Sequence, residues 1–213
     1  MRIAISTGGG DAPGLNAVIR AVVLAAHQRG WQCYGIRRGF GGLLGNDGIM
    51  TLNTAAVRGI THLGGTILGT TNRGNPFRWA TPQPDGSVAE VDRSDDLIAA
   101  FRASGFDALV SIGGDGSLRI AYDLWRKGLP VVGVPKTIDN DVAGTLGTFG
   151  ADTAPTPAPE AIDKLHTTAE SHDRVMVVEL MGRDAGWIAL HSAVSSSADI
   201  VLLPEIPFDI ERV

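Results

Sequence analysis

The sequence predicts an α/β fold in which a doubly wound, mostly parallel sheet is followed by the start of a second, smaller α/β domain. Short runs of β-branched residues alternate with segments of helical periodicity, which is the pattern of repeated βαβ units. Several of these runs are apolar throughout, as in a parallel sheet covered on both faces. The 28 glycines cluster between the apolar runs, where a strand turns tightly or the backbone approaches a ligand.

The predicted strands are short and rich in Val, Ile and Leu. In chain order they are Ile3–Ser6, Gln32–Ile36, Ala108–Ile112, Val131–Val134, Val175–Leu180 and Ile200–Leu203. The segment Asn72–Val91 is polar and rich in Pro and Gly, and we predict a long surface loop there. After Asn140 the pattern loosens and prolines follow, so we predict a boundary near residue 150 that separates domains 1–150 and 151–213.

The helices between the strands carry start and stop signals. Leu15–Gln28 is long and rich in apolar residues, and Gly30 follows its end. Ser94 is predicted to be the N-cap of a second helix, and Ser117 to be the N-cap of a third. Because a proline inside a helix costs about 3 kcal/mol, the first helix of the second domain is predicted to begin at Pro159 or later.

Composition narrows the classes of function. The net charge of −5 argues against a broad nucleic-acid surface, which needs clustered Lys and Arg. A small phosphorylated substrate stays possible because it requires only a few well-placed cations. No apolar run approaches the roughly 18 residues of a membrane span, and the first residues lack a secretory hydrophobic segment. With a single cysteine, Cys33, we predict a cytoplasmic protein without an internal disulfide.

Two glycine-rich turns carry the first chemical signal. The motif Ser-Ile-Gly-Gly-Asp-Gly-Ser at 111–117 lies between a predicted strand and a predicted helix, where backbone N–H groups and the helix N-terminus favour an anion. Asp115 is a candidate ligand for Mg²⁺, which prefers few carboxylates together with phosphate oxygens. The second turn, at 7–14, follows the first strand, whose carboxyl end is a usual ligand site. The alternative for each is a simple tight turn with an Asp cap.

A third motif supplies candidate catalytic groups. Pro-Lys-Thr-Ile-Asp-Asn-Asp at 135–141 follows a predicted strand, and in an extended segment Thr137, Asp139 and Asp141 share one face. Phosphoryl transfer to an alcohol needs a carboxylate that accepts the hydroxyl proton, so Asp139 and Asp141 are both candidates. The alternative is a turn rich in Asp and Asn.

Cations are needed for the transferred phosphoryl oxygens. Three arginines near the ends of apolar segments are candidates: Arg73, Arg174 and Arg183. Each of them alone is more commonly a solvated surface residue. The sequence contains neither a Walker A motif nor G-x-G-x-x-G, which argues against a P-loop enzyme and against a simple dinucleotide fold.

With these residues assembled, the whole chain resembles the 6-phosphofructokinase family. The resemblance rests on six motifs in the order of the family: Gly-Gly-Asp-Ala-Pro-Gly-Leu-Asn at 9–16, Gly-Gly-Thr-Ile-Leu-Gly-Thr at 64–70, Gly-Gly-Asp-Gly-Ser at 113–117, Pro-Lys-Thr-Ile-Asp-Asn-Asp at 135–141, Val-Glu-Leu-Met-Gly-Arg at 178–183 and Pro-Glu-Ile-Pro-Phe-Asp at 204–209. One such motif is weak, but six in order are highly specific.

The resemblance implies an ATP-dependent phosphorylation of fructose 6-phosphate, and a role for each matching residue. The nucleotide phosphates would be bound by Gly10, Arg73, Gly114, Asp115, Gly116 and Ser117, with Asp115 on Mg²⁺. Asp139 would take the proton from the sugar 1-hydroxyl, and Arg73 would stabilise the transition state. The sugar phosphate would be held by Thr137, Ile138, Asp139, Met181, Gly182 and Arg183. Arg174 would reach substrate bound to a neighbouring subunit, which implies a homo-oligomer, either a dimer or a tetramer.

Two residues bear on the phosphoryl donor. Pyrophosphate-using members of the family typically carry Asp at the position of Gly116, where that side chain would fill the space of the ATP α-phosphate. Gly116 therefore favours ATP. Lys136, a further candidate catalytic residue, is typical of the pyrophosphate users, so the combination resembles the mixed branch of the family.

Three alternatives stay open. The donor could be pyrophosphate. The chain could be a truncated or degenerate paralogue that binds nucleotide or a partner subunit without turnover, since members of the family are longer. It could also be a related kinase that acts on NAD or a lipid, although those relatives lack the motifs at 135–141 and 181–183.

Overall fold

A computed structural model of the protein describes residues 1–45, 48–182 and 184–213. Its backbone separates into two compact units, Met1–Lys136 and Thr137–Val213. The boundary predicted near residue 150 falls inside the second unit. The division into domains 1–150 and 151–213 stays a prediction.

The first unit alternates strands and helices. In chain order they are β1 (Arg2–Thr7), α1 (Leu15–Gln28), β2 (Gln32–Ile36), α2 (Gly41–Leu44), β3 (Ile49–Leu52), a 3₁₀ turn (Pro76–Arg78), β4 (Trp79–Pro82), β5 (Val88–Val91), α3 (Ser94–Ala103), β6 (Ala108–Gly113), α4 (Asp115–Arg126) and β7 (Val131–Thr137, with its last residue in the second unit). The main sheet has the order β3-β2-β1-β6-β7. β1 is parallel to β2 and β6, and β6 is parallel to β7, whereas β3 is antiparallel to β2. The predicted α/β fold with a mostly parallel sheet is confirmed.

Two hydrophobic clusters cover the two faces of this sheet. Ile3 and Ile5 of β1 pack in one cluster with Leu15 of α1. Ala4, which points to the opposite face because side chains alternate along a strand, packs in the other cluster with Leu124 of α4. Helices on both faces explain why the central strands are apolar throughout.

Most of the segment predicted to be a long surface loop, Asn72–Val91, forms a β-hairpin, built from β4 and β5. β4 pairs with β5 in antiparallel register, Trp79 opposite Val91. The turn is closed by the N–H of Gln83, which donates to the carbonyl of Ser87 at 2.8 Å, and it includes Gly86 at φ 82°. Pro84 and Gly86 of the turn contribute to the Pro- and Gly-rich composition of this segment. That composition predicted a loop, although β-forming residues flank the turn.

Two helices begin before the positions that the capping signals predicted. α3 begins at Ser94 itself, with Arg93 at the N-cap, because the Asp92 carboxylate accepts hydrogen bonds from the N–H and the hydroxyl of Ser94 at 2.8 and 2.6 Å. α4 begins at Asp115, so Ser117 lies within its first turn and is not its N-cap. In α3 the capping carboxylate lies two residues upstream of the predicted serine.

The second unit contains β8 (Phe149–Gly150), α5 (Pro157–His172), α6 (Trp187–Ser195) and a 3₁₀ turn (Ile210–Arg212). The predicted strands Val175–Leu180 and Ile200–Leu203 are not strands in the structure. Their sequences have the β-branched pattern, but a strand forms only against a neighbour that pairs with it. Val175 and Val177 are accordingly more than 90% exposed.

α5 begins at Pro157 rather than at Pro159 or later, as predicted. Both prolines then lie in the first turn, where the missing N–H groups have no helical partner in any case. α6 was not predicted. Its N-cap residue, Gly186, donates its N–H to the Glu205 carboxylate at 2.7 Å. Among the residues described, no helix combines the length and the apolar character needed to cross a membrane.

Candidate functional site

The two glycine-rich turns lie side by side because their strands are neighbours. β1 and β6 run parallel, with Thr7 opposite Ile112, so the turns that follow them leave the same edge of the sheet. The N–H of Gly8 donates to the carbonyl of Ile112 at 3.0 Å. The two turns, about a hundred residues apart in sequence, therefore form one backbone surface at the carboxyl end of the sheet, where ligands of open α/β folds bind.

Two glycines of these turns are required by close packing around Ser117. A Cβ on Gly8 would lie 2.8 Å from the Ser117 hydroxyl oxygen. A Cβ on Gly113 would lie 2.3 Å from the Cβ of Ser117 and 3.2 Å from the carbonyl oxygen of Gly8. A larger residue at Gly113 would clash with the Ser117 side chain, and one at Gly8 would require the Ser117 hydroxyl to move. The sequence prediction assigned Ser117 to ligand binding, and the structure gives it this packing contact as well.

Gly10 and Gly116 have a different environment, because nothing fills the space beside them. A Cβ at either position would meet no atom within 4 Å, and neither has a positive φ. Gly116 is the second residue of α4, where glycine is less favourable than alanine by about 1 kcal/mol at most. The packing of the chain thus does not demand glycine at these two positions, and open space lies beside the amide groups of a helix N-terminus. Asp115, the candidate Mg²⁺ ligand, is exposed in the same turn.

Lys136 places a buried ammonium at this surface. The side chain is only 4% exposed, and its Nζ donates a hydrogen bond to the carbonyl of Gly10. It also lies 3.7 Å from the position of a Cβ on Gly9. Burial lowers the pKa of Lys136 below its ordinary value, and the nearby Asp11 carboxylate partly offsets this shift. A buried cation beside exposed backbone amides favours an anionic ligand.

Arg73 lies in a segment that is fastened to the same turns. The N–H of Gly9 donates to the carbonyl of Thr71 at 3.1 Å. The hydroxyl of Thr71 accepts from the N–H of Arg73 at 2.9 Å and donates to its carbonyl at 2.6 Å. The Arg73 residue is exposed. The first unit therefore brings together Gly10, residues 114–117, Lys136 and the Arg73 segment, as the sequence predicted.

The second unit contains the candidate catalytic carboxylate in a closed turn. The hydroxyl of Thr137 accepts from the N–H of Asp139 at 3.1 Å, and the Thr148 hydroxyl donates to the carbonyl of Thr137 at 2.8 Å. Asn140 has a φ of 51°, and its side-chain oxygen accepts from the N–H of Thr148 at 3.2 Å. The prediction that Thr137, Asp139 and Asp141 share one face of an extended segment is wrong, because the chain bends at Ile138 and Asn140 is left-handed.

Gly182 lies beside this turn. A Cβ on Gly182 would be 3.7 Å from Oδ1 of Asp139 and 2.5 Å from the carbonyl oxygen of Ala185, and its φ is 120°. Only glycine fits this position beside the Ala185 carbonyl, and Gly182 lies close to the Asp139 carboxylate. Met181 is 74% exposed. Asp139 is half-buried, whereas Asp141 is exposed.

Arg174, a further predicted residue, makes no contact with this turn among the residues described. Arg174 is exposed directly after α5, and its N–H donates to the carbonyl of Ala169 at 3.0 Å. Arg183 lies outside the described residues. No group of three or more His, Cys, Asp or Glu side chains in the described parts of the chain is arranged to hold a metal ion. The arrangement near Asp115 fits a different kind of Mg²⁺ site, in which one carboxylate acts together with phosphate oxygens.

Sequence reasoning missed the residues that shape these turns rather than line them. Asn140 was read only as part of a motif, although asparagine is among the few residues that tolerate a left-handed φ. Thr148 carries no local signal, because its partners lie eight and eleven residues away. Thr7 and Thr70, which join the Arg73 segment to the first turn, were also not assigned a role.

Comparisons with known proteins agree with the resemblance in the sequence. The family model described as phosphofructokinase matches residues 2–213. The ATP-dependent 6-phosphofructokinase of Chloroflexus aggregans is 54% identical over 212 residues, which cover 100% of this chain and 58% of that protein. The pyrophosphate–fructose 6-phosphate 1-phosphotransferase of Streptomyces coelicolor is 52% identical over 215 residues, which cover 100% of this chain and 59% of that protein. The chain thus spans less than two thirds of the length of these relatives.

Solved structures show the same fold. The crystal structure of Pichia pastoris phosphofructokinase in the T-state matches with a TM-score of 0.79 and 36% identity, and the match covers 93% of this chain and 22% of that one. The pyrophosphate-dependent phosphofructokinase of Marinobacter aquaeolei matches with a TM-score of 0.78 and 23% identity, and covers 99% of this chain and 55% of that one. The second match supports the fold alone.

Proposed function

Because this chain belongs to the phosphofructokinase family, we propose that it takes part in the ATP-dependent phosphorylation of fructose 6-phosphate at its 1-hydroxyl, which gives fructose 1,6-bisphosphate and ADP. The observation that carries the proposal is the open space beside Gly10 and Gly116, next to the helix N-terminus of α4 and the buried Lys136. This combination of open volume, amide groups and a buried cation suits a polyphosphate.

The donor is ATP in this proposal because of Gly116. An aspartate there would bring a second carboxylate, next to Asp115, into space that the glycine leaves open. Negative charge at that point would repel the α-phosphate of ATP, and pyrophosphate has no such phosphate. Lys136 and the Arg73 side chain would interact with the donor oxygens. Asp115 would hold Mg²⁺, which neutralises charge on the phosphates when it is bound.

The acceptor half of the reaction is assigned to the second unit. Asp139 accepts the proton of the sugar 1-hydroxyl, and the hydroxyl oxygen forms a bond to the γ-phosphorus of ATP. The bond between that phosphorus and the β,γ-bridging oxygen breaks, and ADP leaves with this oxygen. The closed turn of Thr137, Asn140 and Thr148 fixes the backbone from which the Asp139 carboxylate extends. Ile138, Met181, Gly182 and Arg183 would contact the sugar phosphate, and Arg174 would contact substrate in a neighbouring subunit. The proposal therefore includes a homo-oligomer, which acts in the cytoplasm.

A matched pair of variants tests the role of Asp139. The purified chain is mixed with Mg-ATP and fructose 6-phosphate, and fructose 1,6-bisphosphate is measured. We expect Asp139→Asn to abolish turnover while ATP binding, measured by calorimetry, survives. Asp141→Asn makes the same change in an exposed residue two positions later, and it should keep turnover. Normal turnover by Asp139→Asn contradicts the role given to that carboxylate.

Pyrophosphate is a second candidate donor, favoured by the buried Lys136 and by the similarity to the Streptomyces coelicolor enzyme. The same assay with pyrophosphate in place of ATP separates the two. We expect product with ATP, and we expect Gly116→Asp to lose ATP binding. Product with pyrophosphate alone would assign the donor to pyrophosphate. ATP binding without any product would support the alternative of a nucleotide-binding chain that does not turn over.

A further inference from the structure

Two threonine side chains join the segment 69–71 to the end of β1. The hydroxyl of Thr7, which is completely buried, donates to the carbonyl of Gly69 at 2.8 Å. The hydroxyl of Thr70 donates to the carbonyl of Gly9 at 2.6 Å. We call this pair, Thr7 and Thr70, the threonine clasp. Between its two side-chain bonds, the N–H of Gly9 donates to the carbonyl of Thr71 at 3.1 Å.

The segment held by the clasp is anchored upstream and leads to Arg73 downstream. Upstream, the buried Asn16 of α1 donates to the carbonyls of Leu63 and Gly64 at 3.0 and 3.2 Å, and its side-chain oxygen accepts from the N–H of Ile67 at 2.8 Å. Downstream, the Thr71 hydroxyl bonds to both backbone groups of Arg73. Side-chain hydrogen bonds to the backbone therefore fix residues 63–73, which form neither helix nor strand.

We propose that Thr7 and Thr70 are positioning residues of the donor site, and that they act by holding the Arg73 segment against the turn Gly8–Gly10. The inference rests on the proposed function, because it assumes that this turn binds the phosphates of ATP. Arg73 is exposed and its backbone belongs to a loop, so its charge is useful only if that loop has one arrangement. This also gives a role to Thr70 of the motif Gly64–Thr70, to which the proposed chemistry gives no other role.

The clasp predicts that the Thr70 hydroxyl, and not the volume of its side chain, controls ATP affinity. Thr70→Val removes the donor to Gly9 at nearly constant shape, and Thr70→Ser retains it. Calorimetry with Mg-ATP on the full chain should show about fivefold to tenfold weaker binding for Thr70→Val, the loss of one hydrogen bond, and near-normal binding for Thr70→Ser. Thr61→Val, an exposed threonine outside the clasp, is the matched control and should bind normally.

A double-mutant cycle with Arg73→Ala separates positioning from a general loss of stability. If Thr70 acts through Arg73, Thr70→Val should weaken ATP binding much less in the Arg73→Ala background than in the wild-type protein. Hydrogen exchange gives a second measurement that needs no ligand. The amides of residues 69–73 should exchange faster in Thr70→Val than in Thr70→Ser, with β6 unchanged in both.

The outcomes are distinct. Binding of ATP to the wild-type chain, with weaker binding to Thr70→Val only and a non-additive cycle, supports the clasp. Equal binding by wild type and Thr70→Val, equal weakening by Thr70→Ser, or an additive cycle overturns it and leaves the proposed function standing. If the wild-type chain does not bind ATP, the proposed function fails first. Unchanged exchange at residues 69–73 in Thr70→Val then also shows that the clasp does not hold this segment.

Discussion

Replacing Gly116 with alanine should stabilise the fold and weaken ATP binding at the same time. A Cβ at this position meets no atom within 4 Å, and the residue is the second of α4. Gly→Ala in a helix is worth roughly 0.5–1 kcal/mol, so the midpoint of thermal unfolding should rise by about 1–4 °C for a chain of this size. The new methyl group occupies the space assigned to the donor. Such overpacking should weaken ATP binding by about tenfold, or ~1.4 kcal/mol.

Gly113→Ala is the contrasting variant. Its Cβ would lie 2.3 Å from the Cβ of Ser117, so it should lower the free energy of unfolding by about 1–3 kcal/mol. Differential scanning calorimetry measures both stabilities, and titration calorimetry with Mg-ATP measures the affinities. If Gly116→Ala binds ATP as tightly as the wild type, the space beside Gly116 is not the donor site. A lower unfolding temperature for Gly116→Ala would contradict the open environment described for its Cβ.

Three further predictions follow from the buried lysine and the second unit. Burial lowers the pKa of Lys136 below its ordinary 10.5, so the protonated side chain destabilises the fold at pH values below its folded-state pKa. This cost disappears as the pH rises toward 10.5. Urea titrations should therefore show that the free energy of unfolding of the wild type rises relative to that of Lys136→Met over this alkaline range. Phosphate binding favours the ammonium, so ATP binding in the same range should take up protons, measured by calorimetry in buffers of different ionisation enthalpy, and Lys136→Met should lose this uptake. Gly182→Ala places a Cβ 2.5 Å from the carbonyl of Ala185 at a φ of 120°, and it should lower the unfolding free energy by about 1–3 kcal/mol in chemical denaturation, whereas unchanged stability would contradict that geometry.

Local patterns predicted the parts of the fold that local forces determine. The bounds of α1 and β2 agree with the sequence analysis. A long apolar periodicity with a glycine after its end specifies the helix, and the strand is a short segment that follows that glycine. Val175–Leu180 has a β-branched pattern and forms no strand, since pairing depends on residues far away in sequence. The family resemblance is confirmed by the match over residues 2–213.

The candidate site was predictable in its residue types but not in its geometry. The motifs indicated which glycines and which lysine belong to the proposed donor site, and the structure brings these residues together. The motifs did not indicate that Gly8 and Gly113 serve packing while Gly10 and Gly116 border open space, because that distinction depends on Ser117. The extended face proposed for Thr137, Asp139 and Asp141 is absent because the chain bends at Ile138 and Asn140 has a left-handed φ of 51°.

The adjacency of β1 and β6 also determines when the surface proposed to bind the donor is formed during folding. The N–H of Arg2 bonds to the Asp107 carboxylate across 105 positions of sequence, and Lys136 joins only after β7 has paired. Closing such long loops costs conformational entropy before the long-range contacts stabilise the chain, so this step is slow. In the proposed function, nucleotide affinity is thus a late property of the folding chain. ATP should therefore act mainly by slowing the unfolding of the finished first unit, with little effect on the rate at which it forms.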